Sequence, residues 1–88
     1  MKIQRKGQAG TMQSSDLMVI VEPADELSIE IESTVKKQFE HLIRAQLERV
    51  LAKNGAEGMR VSVNDRGALD YAIEARLETA LRRAGGLS

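Results

Sequence analysis

Short stretches of the chain alternate between apolar and polar residues at the spacing of β-strands. Residues 17–22 (LMVIVE) form a run of apolar, largely β-branched residues that Pro23 closes, which is typical of a strand. Residues 27–32 (LSIEIE) alternate strictly, which predicts a strand with one buried face, and residues 59–63 (MRVSV) alternate in the same way. The pattern therefore predicts three strands, and we expect the first two to form an antiparallel hairpin.

A longer segment between the second and third strands has helical spacing. Either Ser33 or Thr34 can cap its start with a hydroxyl, and Asn54-Gly55 ends it, because glycine adopts the left-handed closing conformation without steric cost. Together with Gln46, the residues at helical spacing are Val35, Phe39, Leu42, Ile43, Leu47, Val50 and Leu51. This stripe predicts an amphipathic helix, with Phe39 as its largest core side chain.

The apolar spacing from Leu69 to Leu81 predicts a second helix. Residues 68–73 (ALDYAI) also alternate, so they form either a fourth strand or the start of that helix. The element order is strand, strand, helix, strand, helix. This order predicts a small α+β domain with a three-stranded or four-stranded sheet and two helices on one face. Because residues 17–21 are apolar on both faces, we expect the first strand to lie between the second and the third.

The N-terminal segment differs in composition from the rest. Residues 4–16 are polar and rich in glycine, serine and glutamine, which is typical of a flexible loop. We therefore divide the chain into a flexible arm (1–16), an α+β domain (17–84) and a C-terminal tail (85–88). The arm ends in Ser14-Ser15-Asp16, directly before the apolar strand. These hydroxyls can satisfy backbone donors in an ordinary loop, or one of them can be modified by another enzyme; spacing alone favours the first interpretation.

Composition excludes several classes of function. The 88 residues suffice for one small domain, and the absence of cysteine excludes disulfides and thiolate metal sites. The 13 basic and 13 acidic residues cancel, which argues against nucleic-acid binding. The N-terminus lacks the apolar stretch of a signal peptide, and no apolar run approaches membrane-spanning length. We therefore expect a soluble, cytoplasmic protein.

Other chemically notable residues have simpler structural explanations. His41, the one histidine, lies on the charged side of the first predicted helix, where a solvated residue is expected. Glu30 and Glu32 share the solvent face of a predicted strand. Gly55 and Gly58 follow a helix and precede a strand, which is the reverse of the order in a phosphate-binding loop. We predict no catalytic and no metal-binding residue in this chain.

Two blocks of the sequence resemble one family. AGTMQSSDLMVIVEP (residues 9–23) and NDRGALDYAIEARLETALRRA (residues 64–84) are similar to the acyl carrier subunit, or gamma chain, of bacterial citrate lyase, and the likeness covers nearly the whole chain. The carrier subunit of malonate decarboxylase is a more distant relative. The resemblance implies that Ser14 is linked by a phosphodiester to 2′-(5″-phosphoribosyl)-3′-dephospho-CoA, with Ser15 as the immediate alternative. Asp16 also matches the motif, without an implied role.

The resemblance further implies a carrier mechanism. The cofactor thiol carries an acetyl thioester; exchange for citryl releases acetate, and cleavage of the citryl thioester releases oxaloacetate and restores the acetyl carrier. Catalysis belongs to partner alpha and beta subunits, while a prosthetic-group transferase and an acetylating ligase prepare the carrier. The alternative from another class is a small interaction module with an unmodified arm. Neither interpretation involves nucleic acid or a membrane.

Overall fold

The computed structural model describes residues 1–33 and 39–87, which form a four-stranded mixed sheet and two helices. The strands are β1 (Gly7–Gly10), β2 (Leu17–Pro23), β3 (Ser28–Ser33) and β4 (Met59–Asp65), and the helices are α1 (Glu40–Lys53) and α2 (Asp70–Arg83). The strand order in the sheet is β1-β2-β4-β3, with β2 antiparallel to both neighbours and β3 parallel to β4. The predicted α+β class is confirmed.

The hydrophobic core lies between one face of the sheet and the two helices. Alternate residues of the central strands β2 and β4 are buried, and the residues between them are mostly half-buried or exposed. The helices contribute their apolar stripes to the same cluster, with Ile43, Leu47, Val50 and Leu51 from α1 and Ile73, Leu77, Ala80 and Leu81 from α2. Both helices therefore cover one face, as the sequence predicts.

The helix ends follow from glycine positions. Gly55 has φ of +62° and donates its N–H to the Ala52 carbonyl at 3.0 Å, while the Ala56 N–H reaches the Leu51 carbonyl at 2.9 Å. These two bonds form a Schellman motif, which confirms Asn54-Gly55 as the end of α1. The predicted cap at Ser33 is wrong, because Ser33 ends β3 and the N-cap of α1 is Phe39. The alternative cap Thr34 and the apolar position Val35 lie outside the described residues. Over the described ranges, neither helix has the length and apolar character needed to cross a bilayer.

Phe39 does not lie in the core, so this prediction is wrong. It occupies the N-cap position of α1 with 44% of its surface exposed, and Leu42 is 56% exposed. The stripe of α1 is buried from Ile43 onward, whereas Phe39 and Leu42 line an open groove beside the start of α2. Helical spacing identifies the apolar side of a helix, but it does not show how far along the helix the packing partners extend.

Strand β1 lies within the segment predicted to be a loop. It pairs with β2 from Gly7↔Val21 to Gly10↔Met18, and Ala9 is buried in the core. Gly7 permits close packing of α2, because a Cβ at that position would lie 2.8 Å from the Ala84 Cβ. The loop prediction is therefore wrong for residues 7–10, where a glycine-rich composition conceals a strand that needs close backbone approach. The mobility of residues 11–16 stays a prediction.

The pairing of the strands also differs from the prediction. The expected β2–β3 hairpin does not form, because β4 lies between these strands and pairs with both. Met18 and Ile20 lie on the face of the sheet that the helices do not cover, and both are half-buried. They make β2 apolar on both faces, although β3 is not its neighbour. The fourth strand comes from β1 and not from residues 68–73, since Leu69 is the N-cap of α2.

Burial along α1 yields a stability test with two leucines. Leu47 is fully buried and Leu42 is largely exposed on the same helix. Leu47→Ala should lower the free energy of unfolding by about 2–5 kcal/mol, because it leaves a cavity in the core. Leu42→Ala should change it by no more than about 0.5 kcal/mol. Urea denaturation of both variants checks this, and equal losses would contradict the assigned packing of α1.

Candidate functional site

The candidate site is the β1–β2 loop, residues 11–16, which connects Gly10 to Leu17 at one end of the sheet. Ser14 and Ser15 are both exposed at its tip. Within residues 1–33 and 39–87, neither serine hydroxyl makes a hydrogen bond. The simple interpretation of these hydroxyls as satisfying nearby backbone donors therefore does not describe the structure. Both serine residues are exposed to solvent.

The Asp16 carboxylate closes the base of this loop. One oxygen accepts a hydrogen bond from the Thr11 hydroxyl at 2.7 Å, and the other accepts the Leu17 N–H, also at 2.7 Å. The Gln13 N–H in turn donates to the Thr11 hydroxyl oxygen at 3.2 Å. Because Leu17 is fully buried, these bonds connect a polar loop directly to the first core residue of β2.

The same carboxylate binds helix α2 through Arg76. The guanidinium donates from Nε to one oxygen at 3.2 Å and from Nη2 to the other at 3.3 Å, a two-pronged arrangement that fixes direction as well as distance. The hydrogen bond from Thr11, followed by those from Leu17 and Arg76, holds the pKa of Asp16 below its ordinary value, although partial burial opposes this shift. Asp16 is therefore ionised at neutral pH and acts as a charged anchor.

Backbone hydrogen bonds distinguish the two serines. The Ser15 N–H donates to the Arg66 carbonyl at 2.8 Å, and the Arg66 N–H donates to the Asp16 carbonyl at 2.8 Å. These bonds continue the β2–β4 ladder beyond its last assigned pair, Leu17↔Asp65. Ser15 also has a left-handed φ of +67°. Its backbone is thus held in the turn, whereas Ser14 lies one residue farther from the anchored end.

The β4–α2 connection, which bonds to the loop through Arg66, is held in place by a buried aspartate. Asp65, at the end of β4, accepts hydrogen bonds from the Gly67 N–H at 3.2 Å and the Ala68 N–H at 3.0 Å, and from the Ser33 hydroxyl at 3.1 Å. The β4–α2 connection therefore has a fixed path beside the loop. The loop that carries the two serines therefore lies next to a connection whose backbone is held by hydrogen bonds.

The other candidates from the sequence lie elsewhere. His41 is exposed on α1, and Glu30 and Glu32 are exposed on β3, where Glu32 accepts a hydrogen bond from the Asn64 amide at 3.2 Å. Gly55 lies in the turn after α1, where its carbonyl accepts the Met1 ammonium group at 2.6 Å. Across the described ranges, none of these residues bonds to the β1–β2 loop, and no cluster of three acidic or histidine side chains could hold a metal ion.

The pattern of residues in the sequence does not indicate that Thr11 and Arg76 bind the Asp16 carboxylate. Arg76 is 60 residues from Asp16 in the sequence, and helical periodicity does not specify a contact over that distance. The sequence offers one local signal for these contacts, because an aspartate directly before a buried strand needs hydrogen-bond donors. Thr11, five residues earlier, can be reached by a short loop that closes on itself.

Comparisons with known proteins agree on one family. A family model named ACP, described as malonate decarboxylase delta subunit (MdcD), matches residues 4–84. The citrate lyase acyl carrier protein of Haemophilus influenzae (strain PittEE) is 50% identical over 84 residues, which cover 96% of this chain and 88% of that protein. Its counterpart in Halothermothrix orenii is 44% identical over 85 residues, covering 96% and 90% of the two chains.

The fold is also shared with a solved structure. A chain in the crystal structure of a Pseudomonas malonate decarboxylase hetero-tetramer in complex with malonate superposes with a TM-score of 0.80 at 24% sequence identity. The match covers 93% of this chain and 86% of that chain. The arrangement of strands and helices is therefore common to both proteins.

The anchor predicts a measurable titration of Asp16. Its lowered pKa means that the ionised form stabilises the fold. This contribution is complete above the unfolded value of about 3.9 and is lost as the pH falls through the lowered folded value. Thr11→Val and Arg76→Gln should each raise the pKa of Asp16, as measured by carbon-13 NMR of its carboxyl group. Thr79→Val serves as the control, because Thr79 donates to the Ala75 carbonyl within α2. An unchanged titration of Asp16 in both Thr11→Val and Arg76→Gln would contradict the hydrogen bonds assigned to its carboxylate.

Proposed function

Because this chain belongs to the citrate lyase acyl carrier protein family, we propose that it is the acyl carrier subunit of a citrate lyase and that Ser14 carries its prosthetic group. Its role is that of a carrier, and the bond-making and bond-breaking steps belong to partner subunits. The proposed group is phosphoribosyl-dephospho-CoA, joined to the serine oxygen by a phosphodiester.

The observation that carries this proposal is the accessible Ser14 hydroxyl at the tip of an anchored loop. A modifying enzyme has to reach the serine oxygen, and the exposed tip of the β1–β2 loop offers it without disturbing the core. The bonds of Asp16 with Thr11, Leu17 and Arg76 keep the base of the loop in place. Attachment at the tip is therefore compatible with an unchanged fold.

The backbone geometry supports Ser14 over Ser15. The Ser15 N–H is tied to the Arg66 carbonyl, and its left-handed backbone fixes the direction of its side chain within the turn. In the part of the chain that the structure describes, Ser14 has neither restraint. A serine that must enter a transferase site benefits from this freedom.

The residues around the loop suit an anionic group. A guanidinium has five N–H donors. Among residues 1–33 and 39–87, Arg76 donates from its Nε and one Nη2 hydrogen to Asp16, while 43% of its side chain stays exposed. Arg76 thus has donors left for a phosphate oxygen. A second arginine, Arg66, lies beside the loop, where its backbone bonds to Ser15 and Asp16. When bound, the group supplies the thiol that this cysteine-free chain lacks, on which acyl units are carried as thioesters between citrate and its products acetate and oxaloacetate.

The contribution of this chain is presentation of the group to its partners. A group tethered at the loop tip reaches the active sites of the complex at high effective concentration without dissociating. We propose the citrate lyase alpha and beta subunits as the catalytic partners, with a transferase for attachment and a ligase for acetylation. The similar fold found within a malonate decarboxylase hetero-tetramer supports a role as one subunit among several.

Serine variants test the attachment site. Ser14→Ala removes the oxygen needed for the phosphodiester, so mass spectrometry after incubation with the transferase and cofactor precursor should show no added group. Ser15→Ala is the matched control and should retain most of the labelling. Both changes lie on the surface and should alter stability by no more than about 0.5 kcal/mol. Labelling of Ser14→Ala but not of Ser15→Ala would move the site to Ser15, and normal labelling of the double variant would refute the loop as the site.

A further inference from the structure

The turn that ends α1 contains the dipeptide in which an asparagine side chain is chemically least stable. An asparagine loses ammonia when the backbone nitrogen of the next residue attacks its side-chain amide carbon, and glycine at that next position obstructs the attack least because it has no Cβ. Asn54 is half-buried and Gly55 is exposed at this turn. The second asparagine of the chain, Asn64, precedes Asp65 and lies within β4.

The backbone conformation of the turn keeps the reacting atoms apart. Asn54 has φ of −96° and ψ of 2°. At a ψ near zero, the Gly55 nitrogen eclipses the Asn54 nitrogen and is turned away from the Asn54 Cβ and the side chain beyond it. The attack therefore requires Asn54 to rotate about ψ, which the last turn of α1 does not permit while it stays closed.

Hydrogen bonds occupy both nitrogens that take part in the reaction. The Asn54 Nδ2, which would leave as ammonia, donates to the Val50 carbonyl at 2.8 Å. The Gly55 N–H, whose nitrogen would attack, donates to the Ala52 carbonyl at 3.0 Å. Both bonds have to break before the ring can form.

Further contacts hold the same turn closed from the outside. The Gly55 carbonyl accepts the Met1 ammonium group at 2.6 Å, and the Glu57 N–H donates to the Met1 carbonyl at 3.0 Å. The Ala56 N–H donates to the carbonyl of Leu51, a residue of the core. Opening of this turn is therefore a cooperative event that involves the end of α1 and the N-terminal residue together.

We propose that Asn54 is a site of spontaneous deamidation that the folded turn suppresses, and that it reacts through local opening of the end of α1. In the open state the Gly55 nitrogen bonds to the Asn54 Cγ, the Cγ–Nδ2 bond breaks, and the proton from Gly55 leaves with the ammonia. Water then opens the cyclic imide at one of its two carbonyls, which leaves aspartate or isoaspartate at this position.

The reaction weakens the turn that had suppressed it. Either product replaces the amide donor to the Val50 carbonyl with a carboxylate, at the negative end of the helix dipole. Isoaspartate also lengthens the backbone by one carbon, which changes the spacing that the Schellman bonds require. Because Val50 and Leu51 are buried, damage at this turn extends to the core.

Peptide mapping by mass spectrometry tests the site and its protection. The wild-type chain is incubated in mildly alkaline buffer with and without enough urea to unfold it, and fragmentation separates aspartate from isoaspartate. We expect Asn54 to convert at least about tenfold more slowly in the folded chain. In urea Asn64 should react more slowly than Asn54, because Asp65 has a side chain. Equal rates at Asn54 with and without urea would refute the protection, and faster conversion of Asn64 in urea would refute the site.

Two leucine variants with the same chemical change test the opening of the turn. Leu51 is buried at the end of α1 and Leu42 is exposed at its start. Leu51→Ala should accelerate deamidation of Asn54 without urea, towards the rate of the unfolded wild type, and a variant that does not fold should reach that rate. Leu42→Ala should change it by no more than about twofold. Equal rates in the two variants would refute the role of local opening.

Two substitutions of Asn54 test the effect of the product. Asn54→Ala removes the donor to the Val50 carbonyl, and Asn54→Asp also adds the charge of the product. Thermal unfolding should show a larger fall in melting temperature for Asn54→Asp than for Asn54→Ala. A melting temperature of Asn54→Asp equal to that of the wild type would refute the weakening of the turn by deamidation.

Discussion

The Asp16 carboxylate is the contact through which the loop, the sheet and helix α2 are held together. It receives donors from Thr11 in the loop, from the Leu17 backbone at the start of β2, and from Arg76 on α2. A carboxylate can accept several hydrogen bonds at once, and the hydrogen bond from Thr11, with those from Leu17 and Arg76, outweighs the cost of its partial burial. One ionised side chain thus lets the chain pass from an exposed tip to the fully buried Leu17 within two residues.

This arrangement holds the base of the β1–β2 loop in place. The paired strands and the buried Asp65 fix the path of the neighbouring connection, so the root of the loop does not depend on the conformation of its tip. Such a division suits a carrier, in which a tethered group has to travel while the domain that bears it is recognised as a constant surface. A chain without cysteine has no thiol of its own for this work, which a carried cofactor supplies in our proposal.

The sequence predicts the positions of the helices and strands better than it predicts which strands pair. Alternation locates β3 and β4, an apolar run closed by Pro23 locates β2, and helical spacing locates α2, because these patterns record which side chains face the core. The sequence does not reveal β1, where Gly7 and Gly10 allow close approach of the backbone and leave no apolar pattern. It also does not reveal that β4 lies between β2 and β3. The loop serines are evident as polar residues, but the anchoring of Asp16 by Arg76 depends on a fold that brings distant residues together. Phe39 lies outside the core because helical spacing identifies the apolar side of α1 but not how far along the helix the packing partners extend.

We propose that Ser14 bears a covalent prosthetic group when the protein works in its own cell. Intact mass measurement of the protein purified from its native host during growth on citrate, followed by fragmentation of the peptide that contains residues 9–23, tests this claim most directly. We expect a mass increase equal to one phosphoribosyl-dephospho-CoA group, located on Ser14. An unmodified chain from cells with active citrate lyase, or a group located on a residue outside the β1–β2 loop, would contradict it.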